Sequence, residues 1–180
     1  EKLALLAGQS PRDVVVNGSP GLGRTRLLKE FASELTMAGL QVRLIAGLSD
    51  LPHPNRLPQV VIVPDAHQLT QADFQYLREK IPGKRWWIVA GSFNPNVPTW
   101  FDNFHHITLE PLDQEGISNF ISVTFPDNKF PHDLDERLLG ITLGFPSALE
   151  SALEELLQAG QLRIGLQGWE VLPGRWNFPI

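Results

Sequence analysis

The sequence predicts an α/β fold: a parallel sheet flanked by helices, followed by a small helical lid and a terminal β-hairpin. Three observations predict it. Over residues 1–110, short apolar runs alternate with segments whose apolar residues recur every three or four positions, the pattern of strand–helix–strand crossovers. A glycine-rich turn, Gly18 to Gly23, joins the first strand to the first long helix. After Pro111 the pattern turns helical, until two short runs flanked by glycines close the chain. The expected division is an α/β core over 1–110, a helical lid over 111–160 and a hairpin over 161–180.

Each element has its own signal. Leu3-Ala4-Leu5-Leu6 reads as a helix covering the core, too short for a membrane anchor. Asp13 to Asn17 is a buried strand running into the glycine-rich turn. Leu27, Leu28, Phe31, Ala32, Leu35 and Ala38 give the helical period, and Gly39 stops it. Val42 to Ile45 is the next strand, followed by a connector studded with Pro52, Pro54 and Pro58. Val60-Val61-Ile62-Val63 is wholly apolar, as a strand covered on both faces should be. Thr70 caps a helix carrying Phe74, Leu77 and Ile81, halted at Pro82; Trp86–Ala90 and His106–Leu109 are the last core strands.

In the second part, Asp113 caps a helix bearing Ile117, Phe120 and Ile121. Another runs from Asp133 to Thr142. A third starts at Pro146, a favoured first helical position, carries Leu149, Leu153, Leu156 and Leu157, and ends at Gly160. Leu162–Ile164 and Trp169–Leu172, joined through Gly165 and Gly168, form the hairpin.

Composition narrows the function. Fifteen Lys and Arg against 20 Asp and Glu leave a net charge of −5, so a strongly basic nucleic-acid surface is not expected. Hydrophobic residues at 42% exclude a disordered chain. The absence of cysteine removes disulfides, thiolate metal sites and cysteine nucleophiles. No apolar run approaches the roughly 18 residues of a membrane span. The chain starts at Glu1, its one Met is Met37, and no basic-then-apolar leader precedes the first strand. The expectation is a piece of a longer cytoplasmic protein. Low charge, 19%, and 15 prolines fit a module that leans on neighbouring domains.

The turn carries the chemistry. Gly18-Ser19-Pro20-Gly21-Leu22-Gly23-Arg24-Thr25 has the frame G-x-x-x-x-G-K-[ST], with Arg in place of Lys. Glycines let backbone N–H groups turn inward around phosphate oxygens, and the following helix adds its positive end. The basic residue would reach the β- and γ-phosphates, and the Thr25 hydroxyl would ligate Mg²⁺. A plain strand-to-helix turn without a ligand is the competing reading. Arg24 keeps the charge but is planar and bulkier than an ammonium, which weighs more on catalysis than on binding.

In order, the motifs resemble the STAND signalling NTPases, a branch near AAA+. These include the ATPase modules of large bacterial transcriptional regulators and of cyclase- or kinase-linked proteins. G-S-P-G-L-G-R-T-R-L-L-K-E-F is similar to their phosphate loop and following helix, and V-V-I-V-P-D-A-H-Q-L to their Walker B strand. W-W-I-V-A-G-S-F-N-P resembles the sensor-1 strand, I-T-L-E-P-L-D-Q-E-G-I the entry to the lid, and T-L-G-F-P-S-A-L the G-x-P motif. Leu156 to Leu172 resembles the segment leading into a winged-helix region. The resemblance implies a P-loop NTPase core with its lid, taking ATP or ADP with Mg²⁺. Gly18, Ser19, Pro20, Gly21, Leu22, Gly23, Arg24, Thr25 and Arg26 would line the phosphates, with Asn94 at the sensor and Pro146 on the lid side. Thr25 and Asp65 would serve Mg²⁺, and Asp65 would be the catalytic acid.

The departures from that pattern matter as much. If Ala66-His67 anchors the Walker B alignment, the Mg²⁺-supporting acid falls on Pro64 and Asp65 takes the water-activating place. The other alignment puts Asp65 on the metal and Ala66 at the catalytic place. Either way one acidic group is missing, and Asn94 cannot supply the positive charge usual at the sensor. Phosphoryl transfer needs placed cations and an oriented water, so hydrolysis should be weak or absent.

Other residues have blander readings. His67 reads as a packing or hydrogen-bonding residue. His105 and His106 face opposite sides of a strand and cannot chelate one ion. Trp86-Trp87 reads as packing, and Lys84-Arg85 as a solvated spot. Three functions remain in view: a nucleotide-binding regulatory switch, a pseudo-NTPase scaffold that binds no nucleotide, and a DNA-associated AAA+-like protein. Expected partners are other domains of the same polypeptide and other proteins, with self-association open. No membrane is expected, nor nucleic acid through this domain alone.

Overall fold

A computed structural model describes residues 13–45, 60–66, 69–80, 87–92, 101–166 and 168–172. The expected N-terminal helix, the Pro-studded connector, Ile81, Lys84, Arg85, Trp86, His67 and Asn94 lie outside the described residues. The chain divides into two compact units, 1–109 and 110–180.

In the first unit, β1 (Val14–Asn17), α1 (Arg24–Met37), β2 (Val42–Leu44), β3 (Val60–Val63), α2 (Gln71–Lys80), β4 (Trp87–Ser92) and β5 (His105–Thr108) follow one another. The five strands form one sheet in the order β2-β3-β4-β1-β5, and every pairing is parallel. The α/β prediction holds.

The two-residue period of the strands sorts the core. Val14, Val16, Val60 and Ile62 face Leu28, Phe31, Ala32 and Leu35 of α1. Val15, Val61 and Val63 face the other way, onto Phe74 of α2, Phe101 and Phe104. Both faces are therefore covered, which is why these strands are apolar throughout. Phe74, Phe101 and Phe104 meet edge to face, with ring centroids 5.0 to 6.4 Å apart. One contact is unusually close: a Cβ on Gly91 of β4 would stand 2.1 Å from the Pro64 carbonyl oxygen, so only glycine lets β4 lie beside the end of β3.

Helix ends follow local chemistry. Thr70 and Asp73 bond reciprocally at the start of α2: the Asp73 carboxylate accepts from Thr70 N–H at 2.7 Å, and Thr70 Oγ1 accepts from Asp73 N–H at 3.3 Å. Leu40 N–H donates to the Leu35 carbonyl at 3.0 Å beyond the end of α1, closing it in a Schellman turn.

The second unit holds α3 (Gln114–Thr124), α4 (Leu134–Thr142), α5 (Pro146–Gln158) and an antiparallel hairpin, β6 (Leu162–Gly165) with β7 (Gly168–Val171). Ile117, Leu134, Leu138, Leu149, Leu153 and Leu156 share one core with Leu162 and Val171, so the hairpin packs on the helices. Trp169 meets Phe125 at 5.0 Å, and Lys129 N–H donates to the Trp169 carbonyl at 2.7 Å. Asp113 caps α3 as expected, accepting from Gly116 N–H at 2.8 Å.

Candidate functional site

The site begins where β1 runs out. Loop 18–23 links Asn17 to α1, with Gly21 at φ 88° and Gly23 at φ 77°, backbone angles that glycine adopts without the penalty of a side chain. Gly23 is also the N-cap of α1. It offers no side chain to the first turn, and that turn contains no acidic residue. The contrast with α2 and α3, both capped by side chains, is chemical. The start of α1 keeps its N–H groups free of side-chain caps and adds Arg24 and Arg26, cations placed against the positive end of the helix dipole. An anion would relieve both.

Arg24 turns back across the loop. Its Nη1 donates to the Gly18 carbonyl at 2.9 Å, and its Nη2 lies 3.7 Å from Asp65 Oδ1. The Arg24 side chain is 10% exposed and that of Asp65 46%, so the pair has one buried and one solvated partner. Burial pushes the Arg24 pKa down from its ordinary value, and the nearby Asp65 charge opposes that shift.

The other expected site residues divide. Gly18, Ser19, Pro20, Gly21, Leu22, Gly23, Arg24 and Thr25 are contiguous in the loop and helix start, with Thr25 exposed. Arg26 is turned along the helix, where its Nε donates to Glu30 at 3.0 Å. Asp65 follows Pro64 off the end of β3. Asn94 lies outside the described residues. Pro146 is at the start of α5, in the second unit.

One group escaped the sequence reading. Asn17 Nδ2 lies 3.4 Å from His106 Nδ1, and His106 Nε2 lies 3.1 Å from the Phe101 carbonyl. A carbonyl only accepts, so Nε2 carries the proton and Nδ1 accepts from the Asn17 amide. The Asn17 Oδ1 is then left buried and without a hydrogen-bond partner among the described residues, at the residue that leads into the loop. Only the strand order, which puts β5 beside β1, exposes this relationship.

The arrangement is tested against a divalent cation by its donor set. Mg²⁺ wants a near-octahedral set of oxygens that includes a carboxylate. Among the described residues beside the loop one carboxylate is present, Asp65, and a guanidinium already faces it. A Mg²⁺ at Thr25 and Asp65 would therefore have to compete with the Arg24 guanidinium for the carboxylate. Among the described residues no cluster of three or more His, Asp or Glu could hold a metal. A separate cleft of about 660 Å³ in the second unit is lined by Lys129, Arg163, Leu166 and Glu170, but its Arg163–Glu170 pair is already closed at 2.8 Å.

No family model matches the chain, and no curated protein matches it. Solved structures do. The chain is similar to the Thermotoga maritima RuvB Holliday junction branch migration motor, with a TM-score of 0.62 and 18% identity over 88% of this chain and 61% of that one. It is also similar to AMPPCP-bound DnaA from Aquifex aeolicus, with a TM-score of 0.64 and 14% identity over 88% and 59%. The fold is AAA+-like, a parallel α/β sheet flanked by helices. At these identities the likeness is one of fold, and the chain spans about three fifths of the length of those relatives. Among the described residues no helix is long and apolar enough to cross a membrane.

Proposed function

We propose that this chain is a degenerate nucleotide-binding regulatory module of the STAND type, taking ATP or ADP at loop 18–25 and hydrolysing it weakly or not at all. The observation that carries the reading is the loop itself. Its two left-handed glycines, helix start without a side-chain cap, and Arg24 make a turn suited to phosphate oxygens. Weak hydrolysis follows from the acids. Asp65 is engaged by Arg24, and its neighbours Pro64 and Ala66 cannot polarise a water. Such a module would act on other domains of its own polypeptide, on protein partners or on further copies of itself, in the cytoplasm.

A calorimetric titration with ATP, paired with thermal denaturation, tests the reading. Heat of binding and a raised melting temperature are expected. No heat and no shift at millimolar nucleotide would sink it. In that event the second reading stands, a scaffold whose loop is closed on itself, which the Arg24–Gly18 and Arg24–Asp65 contacts favour. A DNA-associated role has the net charge of −5 against it and requires salt-dependent duplex binding.

A further inference from the structure

The residue that departs from the phosphate-loop pattern is also the one that meets the acidic residue at the end of β3. Arg24 donates to the Gly18 carbonyl at 2.9 Å and faces Asp65 at 3.7 Å. The first distance is a hydrogen bond; the second is a charge contact without one. The guanidinium, 10% exposed, is therefore the fixed partner, and the 46%-exposed Asp65 is the one free to leave.

An ammonium in this place would be a single point of charge, able to shed its proton when crowded by another cation. A guanidinium does neither: it spreads its charge over a planar fork and stays protonated. A divalent cation on Asp65 would have to evict that fork or settle beside it, like charge against like charge. Phosphate oxygens have the opposite relationship to the same group. They match the guanidinium fork as a carboxylate does, so a polyphosphate can take the place of Asp65 on Arg24.

We propose that this site takes the nucleotide's polyphosphate without a divalent cation, with Arg24 as the built-in counter-charge and Asp65 as its competitor. The inference rests on the nucleotide-binding reading above and makes it specific. Asp65 belongs to the resting state, where it neutralises Arg24, and phosphate displaces it.

The test is a titration of the purified 180-residue chain with ATP, once in EDTA and once with excess Mg²⁺, repeated for Asp65→Asn. For the unsubstituted protein the two dissociation constants should agree within about twofold. For Asp65→Asn, metal-free ATP should bind roughly two- to fivefold more tightly, the worth of a charge pair with one solvated partner removed from competition. Tenfold tightening by Mg²⁺ in the unsubstituted protein overturns the inference and leaves the nucleotide-binding reading intact. So does metal-free binding by Asp65→Asn that is unchanged or weakened, with its melting curve showing a folded protein. If that variant does not fold, the comparison of EDTA with Mg²⁺ on the unsubstituted chain decides alone. Absence of binding in both media removes the reading, and the inference with it.

Discussion

The amide nitrogen of Asn17 lies 3.4 Å from Nδ1 of His106, joining two residues 89 positions apart. Through its other ring nitrogen His106 meets the Phe101 carbonyl at 3.1 Å, so one imidazole links the strand that feeds loop 18–23 to the segment before β5. Val15 pairs with His106 and Asn17 with Thr108, which places all four side chains on one face of adjacent strands.

This contact has a measurable worth. Asn17→Ala, His106→Ala and the double substitution, compared by urea denaturation, should show a coupling of about 0.5–1.5 kcal/mol, the usual net value of one hydrogen bond. His106→Ala alone should cost about 1 kcal/mol, because the residue is exposed and water replaces part of what is lost. Strict additivity of the two single effects would show that the amide and the ring do not interact.

Two glycine substitutions should act with opposite signs. Gly91→Ala drives a methyl group into the Pro64 carbonyl, 2.1 Å away, next to Asp65. It should destabilise the first unit by about 1–3 kcal/mol, as overpacking does. Gly140→Ala, exposed in α4 with nothing within 4 Å of the new methyl group, should stabilise by about 0.5–1 kcal/mol through helix propensity. Thermal denaturation of the pair checks both, and a shift of the same sign in both would contradict the packing described.

The outcome for Asp113 depends on the cap alone. Asp113→Ala removes the acceptor for Gly116 N–H and should cost about 1 kcal/mol. Asp113→Asn keeps an oxygen there and should cost little. Equal losses from the two, measured by denaturant midpoint, would mean that charge rather than the hydrogen bond holds the start of α3.

How far the sequence carried depended on whether a feature was local. Val60 to Val63 declared a doubly covered strand by being apolar throughout, and Gly18 to Thr25 declared its loop by spacing, because both signals lie within a few residues. Strand ends were less legible. The last core strand was expected at His106–Leu109 and occurs at His105–Thr108, because His105 N–H already donates to the Asp13 carbonyl at 2.8 Å. Pairing sets such limits, and pairing is not written in one strand. The same reason hid His106 from the site: its neighbour Asn17 comes from a strand whose place beside β5 follows from the crossover order. Gly91 was equally silent, since its requirement comes from the Pro64 carbonyl just beyond the end of the adjacent strand. Arg24 was legible as a departure, but its turn back onto Gly18 and Asp65 is tertiary.

The start of α1 supplies the last prediction. Thr25 stands in its first turn, exposed, between Arg24 and Arg26, where no acidic side chain answers the helix dipole. Thr25→Asp places a carboxylate there. On its own this should stabilise the chain by about 0.3–1 kcal/mol, because an anion at a helix start meets the positive end of the dipole. The same carboxylate occupies the field that phosphate needs, so ATP affinity should fall while the melting temperature of the ligand-free protein rises. Opposed changes separate an anion-seeking helix start from a plain structural turn, which would gain stability without altering any ligand titration. Thermal denaturation of the free protein and calorimetry with ATP, run on the same preparation, read the two effects independently. A rise in melting temperature with unchanged ATP affinity would place the phosphates somewhere other than this turn.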